Sequence, residues 1–313
     1  MSDDTLRGRD LLTLADLTPA ELRLVLDRAA ADKARWTRGE REAPLNGKAA
    51  ALVFLKPSVR TRVSFEVACG RLGLQPVVLG PGDAFSRSET VHDTVKVLER
   101  YVDAIVLRTS AHGHLEEVAE HSSVPVVNAL TDDHHPCQVL ADLLTIEERK
   151  GRLAGLRFAY VGDGNNMANS YLLGGALTGL DVTIAGPEGF EPAEDVLARA
   201  RELASANRTG ARLRVVREPA EAVAGADVVA TDTWASMGRE DERETRLAAF
   251  AAYTCDAALM ERAAEDALFM HCLPAHRGEE VTDEVIDSPR SVVFDEAENR
   301  LHAQKALLSL LLG

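Results

Sequence analysis

The sequence predicts an α/β protein of two doubly wound domains, each a mainly parallel sheet with helices on both faces. Three observations predict it. Short, continuous apolar runs alternate with amphipathic helical patterns along the chain, and strands apolar on both faces belong to parallel sheets covered by helices. The alternation breaks at the polar, glycine-bearing stretch Lys150-Gly151-Arg152 and then restarts. Finally, 313 residues correspond to two domains at about 150 residues each.

In chain order, Thr18-Pro19-Ala20-Glu21 opens the first helix with a hydroxyl N-cap, a proline at the first helical position and a glutamate at the third. Leu22, Val25, Leu26, Ala29 and Ala30 follow at helical spacing. Residues 49–55 form an uninterrupted apolar run that suits a buried strand. Residues 62–72 read as a helix stopped by Gly73. The alternation continues through a strand at 75–79, a helix at 89–101, a strand at 104–107, a helix at 115–121 and a strand at 124–128. Pro136 opens a helix running to residue 149. After the break, strands are predicted at 156–161, 181–185, 212–216, 227–231, 268–271 and 292–294, with helices in most gaps and a last helix over 297–312. The expected divisions are 1–149, 150–296 and the closing segment 297–313.

Composition excludes several classes of function. Hydrophobic residues make up 46% and charged residues 27% of the chain, an ordinary globular balance that argues against disorder and low-complexity repeats. Thirty-five basic against fifty acidic residues leave a net charge of −15, so binding of nucleic acid through the general surface is not expected. Any phosphate needs a local positive focus. Cys69, Cys137, Cys255 and Cys272 are scattered without a C-x-x-C pair, which reads as reduced thiols rather than a disulfide or zinc framework. No apolar run approaches the roughly 18 residues that span a bilayer. The acidic start Met-Ser-Asp-Asp does not resemble a secretory signal. These features lead us to expect a cytoplasmic protein with no membrane partner.

In parallel α/β sheets, ligands bind beyond the carboxyl ends of the strands, and chemistry-bearing residues collect there. Lys56-Pro57-Ser58-Val59-Arg60-Thr61-Arg62 lies between a strand and a helix start, where free backbone N–H groups, hydroxyls and a guanidinium suit a phosphate. It is not a P-loop, and a solvated basic turn with a serine cap is equally compatible. His135 precedes Pro136 at a helix N-terminus, which disfavours imidazolium and leaves a neutral ring able to donate to a carbonyl. Zinc is not expected there, for no second ligand pair stands at finger spacing. Gly162-Asp163-Gly164-Asn165-Asn166-Met167 resembles half of a dinucleotide fingerprint, but Met167 fills the third glycine position. The next strand ends in Ala185-Gly186-Pro187, with no carboxylate for a ribose. Asn165 and Asn166 suit the polar ends of a small substrate or simply a tight turn.

Asp232 opens the loop Asp232-Thr233-Trp234-Ala235-Ser236-Met237-Gly238, which suits an amine-bearing ligand or an N-capped turn. In His271-Cys272-Leu273-Pro274, neighbouring side chains of an extended chain point to opposite faces. His271 and Cys272 therefore do not form a dyad, and Cys272 serves either packing or a reacting amine. Arg300 reads as a cation at a helix start, against the dipole, which hints at a nearby anion or at Glu296 as its partner.

Taken in order, Ser58-Val59-Arg60-Thr61-Arg62, His135-Pro136-Cys137-Gln138, Asp232 to Gly238 and His271-Cys272-Leu273-Pro274 closely resemble the ornithine branch of the aspartate/ornithine carbamoyltransferase family, over nearly the whole chain. The resemblance implies a first domain that binds carbamoyl phosphate, a second that binds L-ornithine, and a last helix that packs back on the first domain. It implies a homotrimer with sites at subunit interfaces and a reaction that needs no metal or organic cofactor. Ser58, Val59, Arg60, Thr61, Arg108, His135, Gln138 and Arg300 match carbamoyl phosphate ligands. Asn166, Asp232, Ser236 and Met237 match ornithine ligands. Cys272 and Leu273 match the segment between the two substrates, with Cys272 as proton acceptor and Arg108, His135 and Asp232 as its catalytic companions. The implied product is L-citrulline, made for arginine biosynthesis. A related amine such as acetylornithine or putrescine, the catabolic direction, and a non-catalytic metabolite-binding regulator are the competing readings. Two positions depart from the family pattern. Val59 replaces a threonine, losing a hydroxyl but keeping the backbone N–H. Ala84 stands where many members carry a glutamine that reaches a neighbouring subunit's phosphate, leaving Arg87 as the residue that could compensate.

Overall fold

The computed structural model describes residues 3–85, 89–235 and 242–313. The chain forms two compact units, residues 1–144 with 298–313, and residues 145–297. The expectations for Arg87, Ser236, Met237 and Gly238 concern positions outside the described residues.

The first unit holds β1 (Ala49–Phe54), α2 (Val59–Leu72), β2 (Gln75–Leu79), α3 (Val91–Leu98), β3 (Ala104–Arg108), α4 (His112–His121) and β4 (Val126–Leu130), preceded by α1 (Pro19–Thr37). The strands are all parallel, in the order β2-β1-β3-β4. Both faces of this sheet are covered. Val53, Ile105, Leu107 and Val126 pack against Val95, Leu115 and Val118 of α3 and α4. Their neighbours Leu52, Val106 and Val127 are also inaccessible, and successive strand residues face opposite sides. The order reverses between β1 and β3, so the crevice at their carboxyl ends is the switch point where ligands bind in such sheets. One residue of β4 is unpaired where the β3–β4 register shifts beside Arg108, a bulge of the kind found beside functional sites.

In the second unit, β5 (Arg157–Val161), β6 (Asp181–Ala185), β7 (Leu213–Val216), β8 (Val228–Thr231) and β9 (Leu268–His271) form a parallel sheet ordered β7-β6-β5-β8-β9. The switch point lies between β5 and β8. Between these strands run α6 (Asn166–Thr178), α7 (Glu194–Asn207), α8 (Pro219–Val223), α9 (Arg243–Phe250) and α10 (Ala257–Met260), with α11 (Asp283–Ile286) after β9. The chain passes from one unit to the next within α5 (Pro136–Lys150) and returns within α12 (Val293–Leu312).

The β5–α6 turn depends on glycine. A Cβ on Gly164 would stand 2.1 Å from the carbonyl carbon of Glu191 and 2.2 Å from the nitrogen of Pro192. Both are backbone atoms that cannot step aside. We expect Gly164→Ala to lower stability by about 3 kcal/mol, the upper end of overpacking costs, as measured by urea unfolding; an unchanged midpoint would contradict this packing.

Several element bounds differ from expectation. α2 begins at Val59 rather than residue 62, with the Ser58 hydroxyl accepting the Thr61 N–H at 3.2 Å; the first turn was hidden because Val59 faces outward. Helices α3 and α4 are shifted to 91–98 and 112–121, and β4 starts two residues late, at Val126. The strand expected at 292–294 is helix from Val293 onward. Only Ser291 bridges Phe269, Phe294 is 73% exposed, and Asp295 and Glu296 favour a helix first turn. The last helix thus begins four residues before 297. Arg300 lies two turns inside it, not at a dipole-opposed start.

Candidate active site

Three segments of the first unit meet around His135. The Ser58–Thr61 turn follows β1, Arg108 ends β3, and His135 sits just before α5, where its carbonyl accepts the N–H of Gln138 at 3.2 Å. Arg300 comes from the third turn of α12 and its Nη2 donates to the Thr61 hydroxyl. Thr61, Arg108, His135, Gln138 and Arg300 are all buried. Val59, by contrast, is 78% exposed, so only its backbone can serve a site here. The Nε of Arg60 is buried without a hydrogen-bond partner among the described residues. An unpaired guanidinium nitrogen held out of water is costly, and an anion at the α2 N-terminus would satisfy it. Lys56 reaches across to Asp132 at 2.7 Å and so steadies the turn from the side.

Burial holds the His135 imidazole well below its ordinary 6.5, and the positive charges of Arg300, Arg108 and Arg60, in that order, push it further down. His135 is therefore neutral at pH 7. Burial likewise lowers His114 and His302. Below pH 6.5 the unfolded chain takes up protons that the native chain refuses, so stability is full above 6.5 and falls as pH drops beneath it. Denaturant midpoints measured between pH 7.5 and 5 should decline, and His135→Asn should flatten the decline. An identical slope in that variant would contradict the assignment.

In the second unit Asp232, at the end of β8, is the centre. Its Oδ1 accepts the Thr233 N–H at 2.8 Å and the Cys272 thiol at 3.1 Å. Its Oδ2 accepts from the Asn165 side-chain amide at 2.9 Å. Asn165 Oδ1 in turn caps α6 through the N–H groups of Met167 and Ala168. Asn166, the first residue of α6, is half-buried beside it. The Tyr160 hydroxyl, 3.3 Å from Asn165, is driven well above 10 by burial and by the charge of Asp232, so it stays protonated.

Behind Cys272, His271 points the other way. Its Nε2 lies 3.1 Å from Glu280 and its Nδ1 accepts the Leu273 N–H at 2.9 Å. That bond secures Leu273 in a left-handed conformation (φ 58°), which costs a non-glycine residue about 1–3 kcal/mol elsewhere recovered. Asp232, His271 and Cys272 have ligand atoms within 4.8 Å of one another, as do His276, Glu279 and Glu280. Both ring nitrogens of His271 are already engaged, however, and Glu279 is paired with Arg243. A metal would have to break these contacts.

The chain matches the carbamoyl-phosphate-binding domain of aspartate/ornithine carbamoyltransferases over residues 9–148 and their aspartate/ornithine-binding domain over residues 154–311. It belongs to the aspartate/ornithine carbamoyltransferase family. Among curated relatives, the ornithine carbamoyltransferase of Gloeobacter violaceus is 55% identical over 97% of this chain and 96% of its own length. Among solved structures, the ornithine carbamoyltransferase of Pyrococcus furiosus superimposes with a TM-score of 0.95 at 50% identity, covering 98% of both chains. The Gloeobacter violaceus ornithine carbamoyltransferase structure gives 0.87 at 52%, over 98% of this chain and 100% of that one.

Within this carbamoyltransferase, the first unit brings together Arg60, Thr61, Arg108, His135 and Arg300, and the second brings together Asn165, Asp232 and Cys272. Ser236 and Met237 are outside the described residues. Ala84 is buried in the apolar cluster under the sheet. Three supporting groups escaped the sequence reading. Arg246, 4% exposed, donates to Asp163 at 2.7 Å and to the Trp234 carbonyl at 2.9 Å, tying the β5 and β8 loops together. Glu280 and Asp142 are fully buried acids, the latter within the stretch that reads as the helix opened by Pro136. Cys69, Cys137 and Cys255 are free and buried, their thiols pushed up to about 12 by desolvation, which makes them unreactive packing groups.

Proposed function

We propose that this chain transfers the carbamoyl group of carbamoyl phosphate to the δ-amine of L-ornithine, yielding L-citrulline and phosphate, in the cytoplasm, as a homotrimer and for arginine biosynthesis. The observation that carries the reading is the gathering of Arg60, Arg108 and Arg300 around a neutral, buried His135, in an otherwise acidic molecule. The family and the many relatives named ornithine carbamoyltransferase support the acceptor.

In this reading the N–H groups of residues 58–61 and the guanidinium groups of Arg60 and Arg300 hold the phosphate. Thr61, Arg108 and neutral His135 donate to the carbonyl oxygen, and Gln138 meets the carbamoyl nitrogen. Asn166, Asp232, Ser236 and Met237 hold ornithine, with Cys272 and Leu273 beside the reacting atoms. Freeing the lone pair of an alkylamine at pH 7 costs about 4–5 kcal/mol. The Asp232–Cys272 pair, which already shares a hydrogen bond, orients the ammonium and takes up its proton. The nitrogen then bonds to the carbonyl carbon. Charge builds on the oxygen, where the preorganised donors stabilise it. The tetrahedral species collapses as the C–O bond to phosphate breaks: the electron pair leaves with the phosphate, neutralised by Arg60, and the second proton of the attacking nitrogen passes to a departing phosphate oxygen, leaving the neutral urea nitrogen of citrulline.

The test is colorimetric citrulline formation from fresh carbamoyl phosphate across a panel of ornithine, acetylornithine and putrescine. Ornithine should be the preferred acceptor. Turnover of another amine in preference to it would replace the acceptor; no turnover of any would overturn the reading.

A further inference from the structure

We infer that Arg246 is a positioning residue that gauges the length of the acceptor amine, by fixing the spacing of the two loops on which Asn166 and Asp232 stand. The inference rests on the carbamoyl transfer proposed above and deepens it. Arg246 lies on α9 and is buried. Its Nη1 donates to Asp163 Oδ2 at 2.7 Å and to the Trp234 carbonyl at 2.9 Å, so one nitrogen joins the loop after β5 to the loop after β8. Its Nε donates to Glu242 at 2.8 Å, which steadies the fork against the start of its own helix. The guanidinium carbon stands 5.0 Å from the centre of the Phe190 ring, and the Phe190 carbonyl accepts the Gly164 N–H at 2.9 Å. One turn further along α9, the Phe250 ring touches both Phe190 and Trp234. A single helix thus clamps both loops. Asn166 follows Asp163 by three residues, and Asp232 precedes Trp234 by two. In the proposed reaction Asp232 meets the reacting ammonium and Asn166 is an ornithine ligand on the other loop. The distance between the loops then sets the length of the diamino acid that reaches both. The Asn165–Asp232 hydrogen bond also joins them, but through two rotatable side chains, whereas Arg246 grips the backbone at Trp234. One methylene is worth about 10–200-fold in a fitted pocket, and a fit of that kind needs its groups held to about 0.5 Å.

Arg246 acts through Asp163 and Trp234, so its signature is a change of preference between acceptors. The protein and its variants are assayed with carbamoyl phosphate and either L-ornithine or L-lysine, which is one methylene longer, and the ureido product of each is read colorimetrically. Arg246→Met keeps an apolar stem and removes the fork. In this variant the ratio of kcat/KM for ornithine to that for lysine should fall about tenfold, with the KM for carbamoyl phosphate held within about twofold. In Arg246→Lys one ammonium cannot bond Asp163, Trp234 and Glu242 together. It should lose part of the same preference and provides a second reading if the methionine variant does not fold. A merely structural role would lower activity with both acceptors alike and leave their ratio unchanged. Citrulline formation by the wild type with a ratio unmoved in the folded variants would overturn the role of Arg246 alone, whereas absence of citrulline in the wild type would overturn the proposed function itself.

Discussion

Replacing Arg60 with alanine should lower kcat/KM for carbamoyl phosphate by about 10²–10³-fold, the loss seen when one preorganised donor to a developing charge is removed. The side chain stands in the first turn of α2 with Nε buried and unpartnered among the described residues. Its energy is therefore held for a ligand and not spent within the fold. Stability should not fall and should rise by about 1 kcal/mol, because the substitution removes a buried nitrogen that has no hydrogen-bond partner among the described residues. Arg60→Lys should recover little, because an ammonium is a point charge and lacks the planar fork that matches phosphate. The variant has a second signature. Arg60 is one of the charges that depress His135, so its removal should move the His135 titration upward toward 6.5 in NMR. A kinetic effect below about threefold, or an unmoved His135, would contradict the arrangement.

Asp232→Asn should lower kcat/KM for ornithine by about 10²–10³-fold while leaving carbamoyl phosphate binding unchanged, since removing one partner of a buried charge pair costs about 3–5 kcal/mol. The substitution is nearly isosteric, so the shape of the loop survives. What changes is the hydrogen-bond register. Asp232 accepts from Asn165, Thr233 and Cys272 at once. An amide can accept with only one of its two ends, so one of these donors is left facing an NH2 group. Steady-state kinetics with each substrate varied separately reads the split. Equal losses for both substrates would place Asp232 outside an amine site.

Much of the fold was legible because its strands are apolar on both faces. The strands at 75–79, 181–185 and 268–271 fall where the alternation of short strands and helices places them, and the site residues follow from reading the segments just beyond strand ends. The failures have physical causes. Residues 292–294 form an apolar triplet, and so short a run carries no period that separates strand from helix. The first turn of α2 was missed because Val59 faces outward. Charged residues that turn inward leave no mark in the sequence. Arg246 lies in a run of alternating charge that reads as solvated, and Asp142 and Glu280 acquire their importance only from Gln138 and His271, which the fold brings within hydrogen-bond reach. The direction of His271 and Cys272 was legible, because adjacent side chains of an extended strand diverge, and they reach Glu280 and Asp232 respectively.

In the proposed reaction the first unit holds a doubly charged acyl phosphate on the Ser58–Thr61 turn, with Arg60, Arg108, His135 and Arg300 as its donors. A crystal structure of the protein soaked with carbamoyl phosphate tests it most directly. The account predicts phosphate density within hydrogen-bond distance of the backbone N–H groups of residues 58–61 and of Arg60 and Arg300, with the carbonyl oxygen against Arg108 and His135. Density for the ligand elsewhere, with those donors left facing water, would contradict it.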